Sequence, residues 1–199
     1  MGIVAIFGGT FNPIHVGHNE IIKHLSNISD IDKIILIPTK IPPHKDLDFL
    51  ADAEHRYNMC KIIASDYSNV EVCDIELFRE GKSYTIDTVK ALESEYQNQK
   101  LALTVGGDML VSFDCWKDYQ EILEKCVLIT FKRTGISDIE YSNSIEKLRS
   151  LGANILDINF TITDVSSTKI RTDFSLNLNS NLIDKRVKDY ILENNLYGV

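Results

Sequence analysis

Apolar residues follow two alternating rhythms along the chain. Short, largely apolar runs occupy 3–7, 33–37, 70–73, 101–105, 127–131 and 154–158. Such runs predict strands, and apolarity at almost every position, as in 3–7, marks a strand covered on both faces. Between them apolar residues recur at helical spacing: Ala53, Tyr57, Cys60 and Ala64 in 52–66, then Ile86, Val89, Leu92 and Tyr96 in 85–96. Trp116, Tyr119 and Leu123 predict a third helix. Ile145, Leu148 and Leu151 predict a fourth, closed by Gly152, and Val187, Tyr190 and Ile191 line one face of a last helix near 184–194. The Asn/Ser/Leu stretch 175–182 reads as a linker. Strands separated by helical crossovers specify an α/β fold with a doubly wound, mostly parallel sheet. Ligands of such folds bind at the carboxyl ends of the strands, where Gly8, Pro38, Gly106 and Phe131 fall.

Composition narrows the class. The 199 residues suffice for one domain with a sizeable core. No apolar run reaches membrane-spanning length, and the chain enters its first strand without a basic leader, so a cytoplasmic protein with no membrane partner is expected. Cys60, Cys73, Cys115 and Cys126 show neither C-x-x-C nor zinc-ligand spacing, so reduced, mostly buried thiols are expected. A net charge of −8 argues against a general nucleic-acid partner. It also means that a polyphosphate ligand must be held by a local cluster of cations and helix N-termini, together with a divalent metal.

Such a cluster is written at the start of the chain. The strand Ile3–Phe7 runs into Gly8-Gly9, where the absence of Cβ permits a sharp turn and close approach to a ligand. His15 and His18 then share one face at a helix start, where free N–H groups and the dipole favour anions. No G-K-[ST] follows, so this is not a Walker A loop. Far downstream, Val165-Ser166-Ser167-Thr168-Lys169-Ile170-Arg171 sets three hydroxyls and two cations at another helix start. A Ser-capped surface helix explains that segment in isolation.

Together the two segments resemble the H-x-G-H and [IV]-S-S-T-x-[IL]-R signatures of the nucleotidyltransferase superfamily. Residues 8–18, GGTFNPIHVGH, are similar to the form found in bacterial nicotinate mononucleotide adenylyltransferases. The resemblance covers essentially the whole chain, including Val187…Tyr190-Ile191…Leu196-Tyr197. It implies a Rossmann-like nucleotidyltransferase domain over 1–199, with a C-terminal helical segment from about 166 to 199. It also implies adenylyl transfer from ATP to nicotinate mononucleotide, with pyrophosphate released and Mg²⁺ accompanying ATP.

The resemblance assigns ATP to Gly8, Gly9, Thr10, Phe11, His15 and His18 from the first motif, and to Ser166, Ser167, Thr168, Lys169 and Arg171 from the second. Gly106 and Asp108 join them, Asp108 either accepting from ribose hydroxyls or capping the next helix. His15, His18 and Arg171 are the candidate catalytic groups. The mononucleotide falls to Asn12, to His44 and Lys45 in P-P-H-K, and to Ser83, Tyr84 and Thr85 in S-Y-T-I-D-T, with Ser83 or Thr85 as the helix cap. Trp116 and Lys117 in F-x-x-W-K complete that side, the indole stacking on the pyridine ring. Arg133 stands where the family has R-P-G, but here Thr134 replaces the proline. Asn12 and Gly107 replace a common Asp and Ala without removing a needed group. No protein metal cluster is visible, so substrate oxygens and water are expected to ligate the metal.

A phosphate monoester is largely ionised at pH 7, so its attack on the α-phosphate needs no general base. Positioned cations and N–H donors suffice, and nearby phosphates favour a charged imidazolium on at least one histidine. The rival readings are phosphopantetheine adenylyltransferase or a cytidylyltransferase of the same superfamily, and a nucleotide-sensing module without turnover. Oligomeric state stays open, a homo-oligomer included.

Overall fold

A computed structural model of the chain describes residues 2–40, 50–133, 135–158, 160, 162–176 and 181–199. The chain alternates β1 (Ile3–Gly9), α1 (Val16–Ser26), β2 (Ile31–Pro38), α2 (Ala53–Ala64), β3 (Val70–Val72) and α3 (Thr85–Glu95). It continues through β4 (Lys100–Gly106), α4 (Gly107–Leu110), α5 (Tyr119–Lys125), β5 (Cys126–Phe131), α6 (Asp138–Ser150) and β6 (Ile155–Asp157). α7 (Ser167–Ser175) and α8 (Lys185–Glu193) follow, and single 3₁₀ turns lie at Phe113–Cys115 and Leu196–Gly198.

The six strands form one sheet in the order β3-β2-β1-β4-β5-β6, every pair parallel. Alternate residues of each strand feed two cores. Ala5, Phe7, Ile34, Leu36, Val127 and Ile129 face α1, α2, α7 and α8, while Val4, Ile6, Ile35, Leu101, Leu103 and Leu128 face α3, α5 and α6. Burial on both faces is why these strands read as continuous apolar runs. Among the described residues no helix is long and apolar enough to cross a membrane.

The element boundaries differ from the sequence pattern where polar atoms set them. The 154–158 run yields only Ile155–Asp157, and the third helix starts at Tyr119 rather than at Trp116. Trp116 has extended backbone (φ −75°, ψ 145°) after the 3₁₀ turn, so its spacing with Tyr119 is not helical. Gly152 closes α6 as expected, with φ of +92°. α7 reaches Ser175, and part of the expected 175–182 linker, 177–180, lies outside the described residues. All four cysteines are free thiols, but only Cys60 and Cys126 are buried; Cys115 is exposed, so "mostly buried" holds for half of them.

Candidate active site

The site opens where the sheet divides. β1 pairs with β4 only as far as Ile6 beside Leu103. Beyond that rung β1 continues along β2 to Gly9 beside Pro38, and β4 along β5 to Gly106 beside Phe131. Helices cross over to opposite faces on either side of this parting, so nothing fills it. The crevice widens into a cavity of about 880 Å³.

On the β1 side, Gly8 and Gly9 remain in the strand, and neither adopts a left-handed conformation. The sharp turn expected there falls instead at Phe11, whose φ of +47° is one that aromatic residues rarely adopt. Glycine is needed at position 9 for space: a Cβ there would lie 2.9 Å from the Phe11 ring. That ring is fixed edge-on against Phe7 and His18, at centroid distances of 5.5 and 5.0 Å.

His15 caps α1 and stacks on His18, with ring centroids 3.7 Å apart and planes 27° apart. The His15 backbone N–H donates to His18 Nδ1 at 3.2 Å. An accepting Nδ1 puts the proton of neutral His18 on Nε2, making that nitrogen a donor. His15 is only 4% exposed and its Nδ1 has no partner among the described residues. Burial, assisted by the Arg133 charge, lowers its pKa to about 3. His15 is therefore neutral at pH 7, and only an anion brought against the ring would favour the charged imidazolium.

Facing the histidines is the start of α7. Ser166 caps it, its Oγ accepting from the Lys169 N–H at 3.2 Å, so the bland reading of this serine is correct as far as it goes. Ser167 donates to the Pro13 carbonyl at 3.0 Å and Arg171 to the Asn12 carbonyl at 2.9 Å. Arg171 also reaches Thr168 Oγ1 at 3.3 Å. The second motif is thus tied directly to the loop of the first, and Ser166, Ser167, Thr168 and Arg171 line the cavity with Thr10, Phe11 and the histidines. Lys169 does not; its side chain lies on the exposed face of α7. Helical spacing turns residue 169 away from the face that carries 167 and 171.

The opposite wall comes from α3 and the segment after β4. Ser83 is buried and Tyr84, not Ser83 or Thr85, occupies the cap position of α3, without a side-chain cap. Trp116 stacks on Phe113 at 4.9 Å and stays half-buried at the cavity wall. Lys117 sits over the Tyr84 ring at 4.6 Å and 3.9 Å from Asp87. Asp108 lies within α4 rather than capping it, and pairs with Arg133 at 3.5 Å. Gly106 makes room for that pair, since a Cβ there would lie 2.6 Å from Asp108 Oδ1 and 2.9 Å from Arg133 Cδ. Asn12 is buried with its Oδ1 accepting from the Ala51 N–H (3.1 Å) and the Tyr197 hydroxyl (2.8 Å), so that oxygen braces the loop. His44 and Lys45 lie outside the described residues. Among the described residues no three His, Cys, Asp or Glu side chains converge as metal ligands.

Comparison with known proteins agrees with this geometry. Residues 6–173 match the family described as Cytidylyltransferase-like. A Fusobacterium nucleatum protein named "Probable nicotinate-nucleotide adenylyltransferase" is 36% identical over 94% of this chain and 96% of its own. One of the same name from Carboxydothermus hydrogenoformans is 34% identical over 98% and 97%. The chain belongs to the nicotinate-nucleotide adenylyltransferase family. Its fold is also that of the Plasmodium falciparum nicotinic acid mononucleotide adenylyltransferase complexed with NaAD, with a TM-score of 0.81 at 21% identity over 99% of this chain and 98% of that one.

Three contributors to this nicotinate-nucleotide adenylyltransferase site are not among the candidate residues named from sequence. Arg56 is fully buried and donates to four carbonyls, those of Ala51 (2.9 Å), Thr10 (2.8 Å), Thr39 (2.6 Å) and Lys40 (3.0 Å). It locks the loop after β1 to the end of β2 and to the start of α2. Its signal was present: a single arginine on the apolar stripe that continues through Met59, Cys60 and Ile63. In the wall below α3, Arg79 donates to Thr88 Oγ1 at 2.9 Å and Thr88 donates to Glu76 at 2.8 Å. Burial pushes the Glu76 carboxyl up, opposed by that hydrogen bond and by Arg79. Tyr197 is the third, and nothing local to its sequence points toward Asn12.

Proposed function

We propose that this chain transfers the adenylyl group of MgATP to nicotinate mononucleotide, giving nicotinate adenine dinucleotide and pyrophosphate. The carrying observation is the His15–His18 pair held opposite the start of α7, across a cavity whose far wall is Trp116 and the start of α3. One wall offers donors for a polyphosphate, the other an aromatic face and helix N–H groups for an anionic ring. Relatives of the same family carry the same named activity.

In this reading His18 Nε2 and His15 donate to the α-phosphate and Arg171 holds the β/γ end. The mononucleotide phosphate attacks the α-phosphorus in line as the bond to pyrophosphate breaks. Mg²⁺ would be held chiefly by ATP and would supply charge neutralisation on the phosphates, since the cavity carboxylates Asp108 and Glu76 are engaged by Arg133 and Thr88. The N–H groups at the start of α3 favour a carboxylate over an amide, whose NH₂ would face donors and leave them unpaired. Four free thiols and no apolar spanning helix among the described residues support a cytoplasmic setting.

The test is a pyrophosphate-release assay with ATP against nicotinate mononucleotide, nicotinamide mononucleotide, phosphopantetheine and CTP-dependent acceptors. Turnover is expected with nicotinate mononucleotide at a kcat/KM well above that for the amide. His18→Ala is expected to fold normally and lose roughly 10²–10³ in kcat. Turnover only with phosphopantetheine, or only with CTP, overturns the proposal.

A further inference from the structure

Thr104 is the one polar residue in the apolar run Leu101–Val105. It is 7% exposed, and its hydroxyl has no hydrogen-bond partner among the described residues. A buried hydroxyl without a partner is costly and uncommon in a settled core. Its position explains where the missing partner belongs. The last rung between β1 and β4 joins Ile6 to Leu103, so Thr104 is the first β4 residue inside the parting of the sheet. Alternation from Ala102 puts its side chain on the α1 and α7 face. It lines the same cavity as His15, His18 and Phe131 on that face. His15, whose Nδ1 is also buried and without a partner, lines the same cavity.

We infer that Thr104 Oγ1 is a binding group for the adenylyl half of ATP, completing its hydrogen bonding only when nucleotide fills the crevice. The inference rests on the proposed adenylyl transfer and adds a residue that neither phosphate motif contains. The choice of half follows from the face: Trp116 and α3 belong to the other core, whereas Thr104 shares its face with α1, which carries His18, and with α7.

The experiment compares wild type, Thr104→Val and Thr104→Ser. It measures both substrates' KM, and binding of a non-hydrolysable ATP analogue by calorimetry. Valine keeps the shape and removes the hydroxyl. The expected result is a roughly 5–10-fold weaker analogue Kd and higher ATP KM, the loss typical of one neutral hydrogen bond. The mononucleotide KM is expected to change less than about twofold, and Thr104→Ser to restore ATP binding. Without ligand, Thr104→Val is expected to melt at or above the wild-type temperature, because it removes an unpartnered buried hydroxyl. A structural hydroxyl would lower the melting temperature and leave the analogue Kd unmoved, and that pair of results overturns the inference. Equal weakening for both substrates overturns the assignment to the adenylyl half. If wild type binds the analogue but turns over no mononucleotide, the functional proposal fails while calorimetry still decides the role of Thr104.

Discussion

His15 shows how one side chain can couple folding to pH. In the unfolded chain its imidazole titrates near ~6.5, while in the empty folded protein burial and Arg133 hold its pKa at about 3. Between those values the unfolded state binds a proton that the native state refuses. Its contribution to stability is therefore full above about pH 6.5 and is lost as pH falls towards 3. The slope is up to about 1.4 kcal/mol per pH unit. Denaturant midpoints measured from pH 7 to 4 are expected to fall less steeply in His15→Gln than in wild type. NMR of the imidazole protons is expected to show no His15 titration between pH 5 and 7 without ligand. Bound ATP, by placing anions at the ring, is expected to move that titration upward; an unmoved signal would mean that His15 does not meet the phosphates. That His15 and His18 sit together on one cavity wall was legible, because a strand–helix junction is local in sequence. The neutral state of His15 was not, because it depends on burial by remote elements and on Arg133.

At the scale of elements, the site is a set of segments locked end to end. Helical rhythm placed α2, α3 and α8 closely, because a 3.6-residue period survives in any sequence that must bury one face. It failed around 113–118, where a 3₁₀ turn and an extended Trp116 interrupt the period, and it said nothing of how loops are joined. Arg56 makes those joints. Four carbonyls from three segments converge on one guanidinium, a planar fork that an ammonium cannot reproduce. Arg56→Lys is expected to satisfy some carbonyls and orphan the rest, lowering stability by roughly 2–4 kcal/mol. The loop after β1 would loosen, so kcat is expected to drop more than the KM for either substrate rises. Chemical denaturation and steady-state kinetics read the two effects separately. A stable variant with unaltered kinetics would show that the loops hold without the fork.

For the whole molecule, the doubly wound parallel sheet was readable from the order of runs alone, since crossover rules leave few topologies for six strands and intervening helices, whereas the parting between β1 and β4 needed the strand order. The closure between the two ends of the chain was not. Tyr197 meets Asn12 across 185 positions. Tyr197 is buried beside Arg56 and Arg171, and burial raises its phenol pKa while the two cations oppose the rise. Tyr197→Phe is expected to cost about 1 kcal/mol and to lower kcat/KM several-fold through the freed Asn12 loop; thermal melts and kinetics check it. This contact also makes the site vulnerable far from its own walls. A protease that cuts the chain just before Tyr197 would remove the hydroxyl that Asn12 accepts from while leaving every residue of the cavity wall intact. Such a clip is thus expected to slow turnover from a distance, through a loop it never touches.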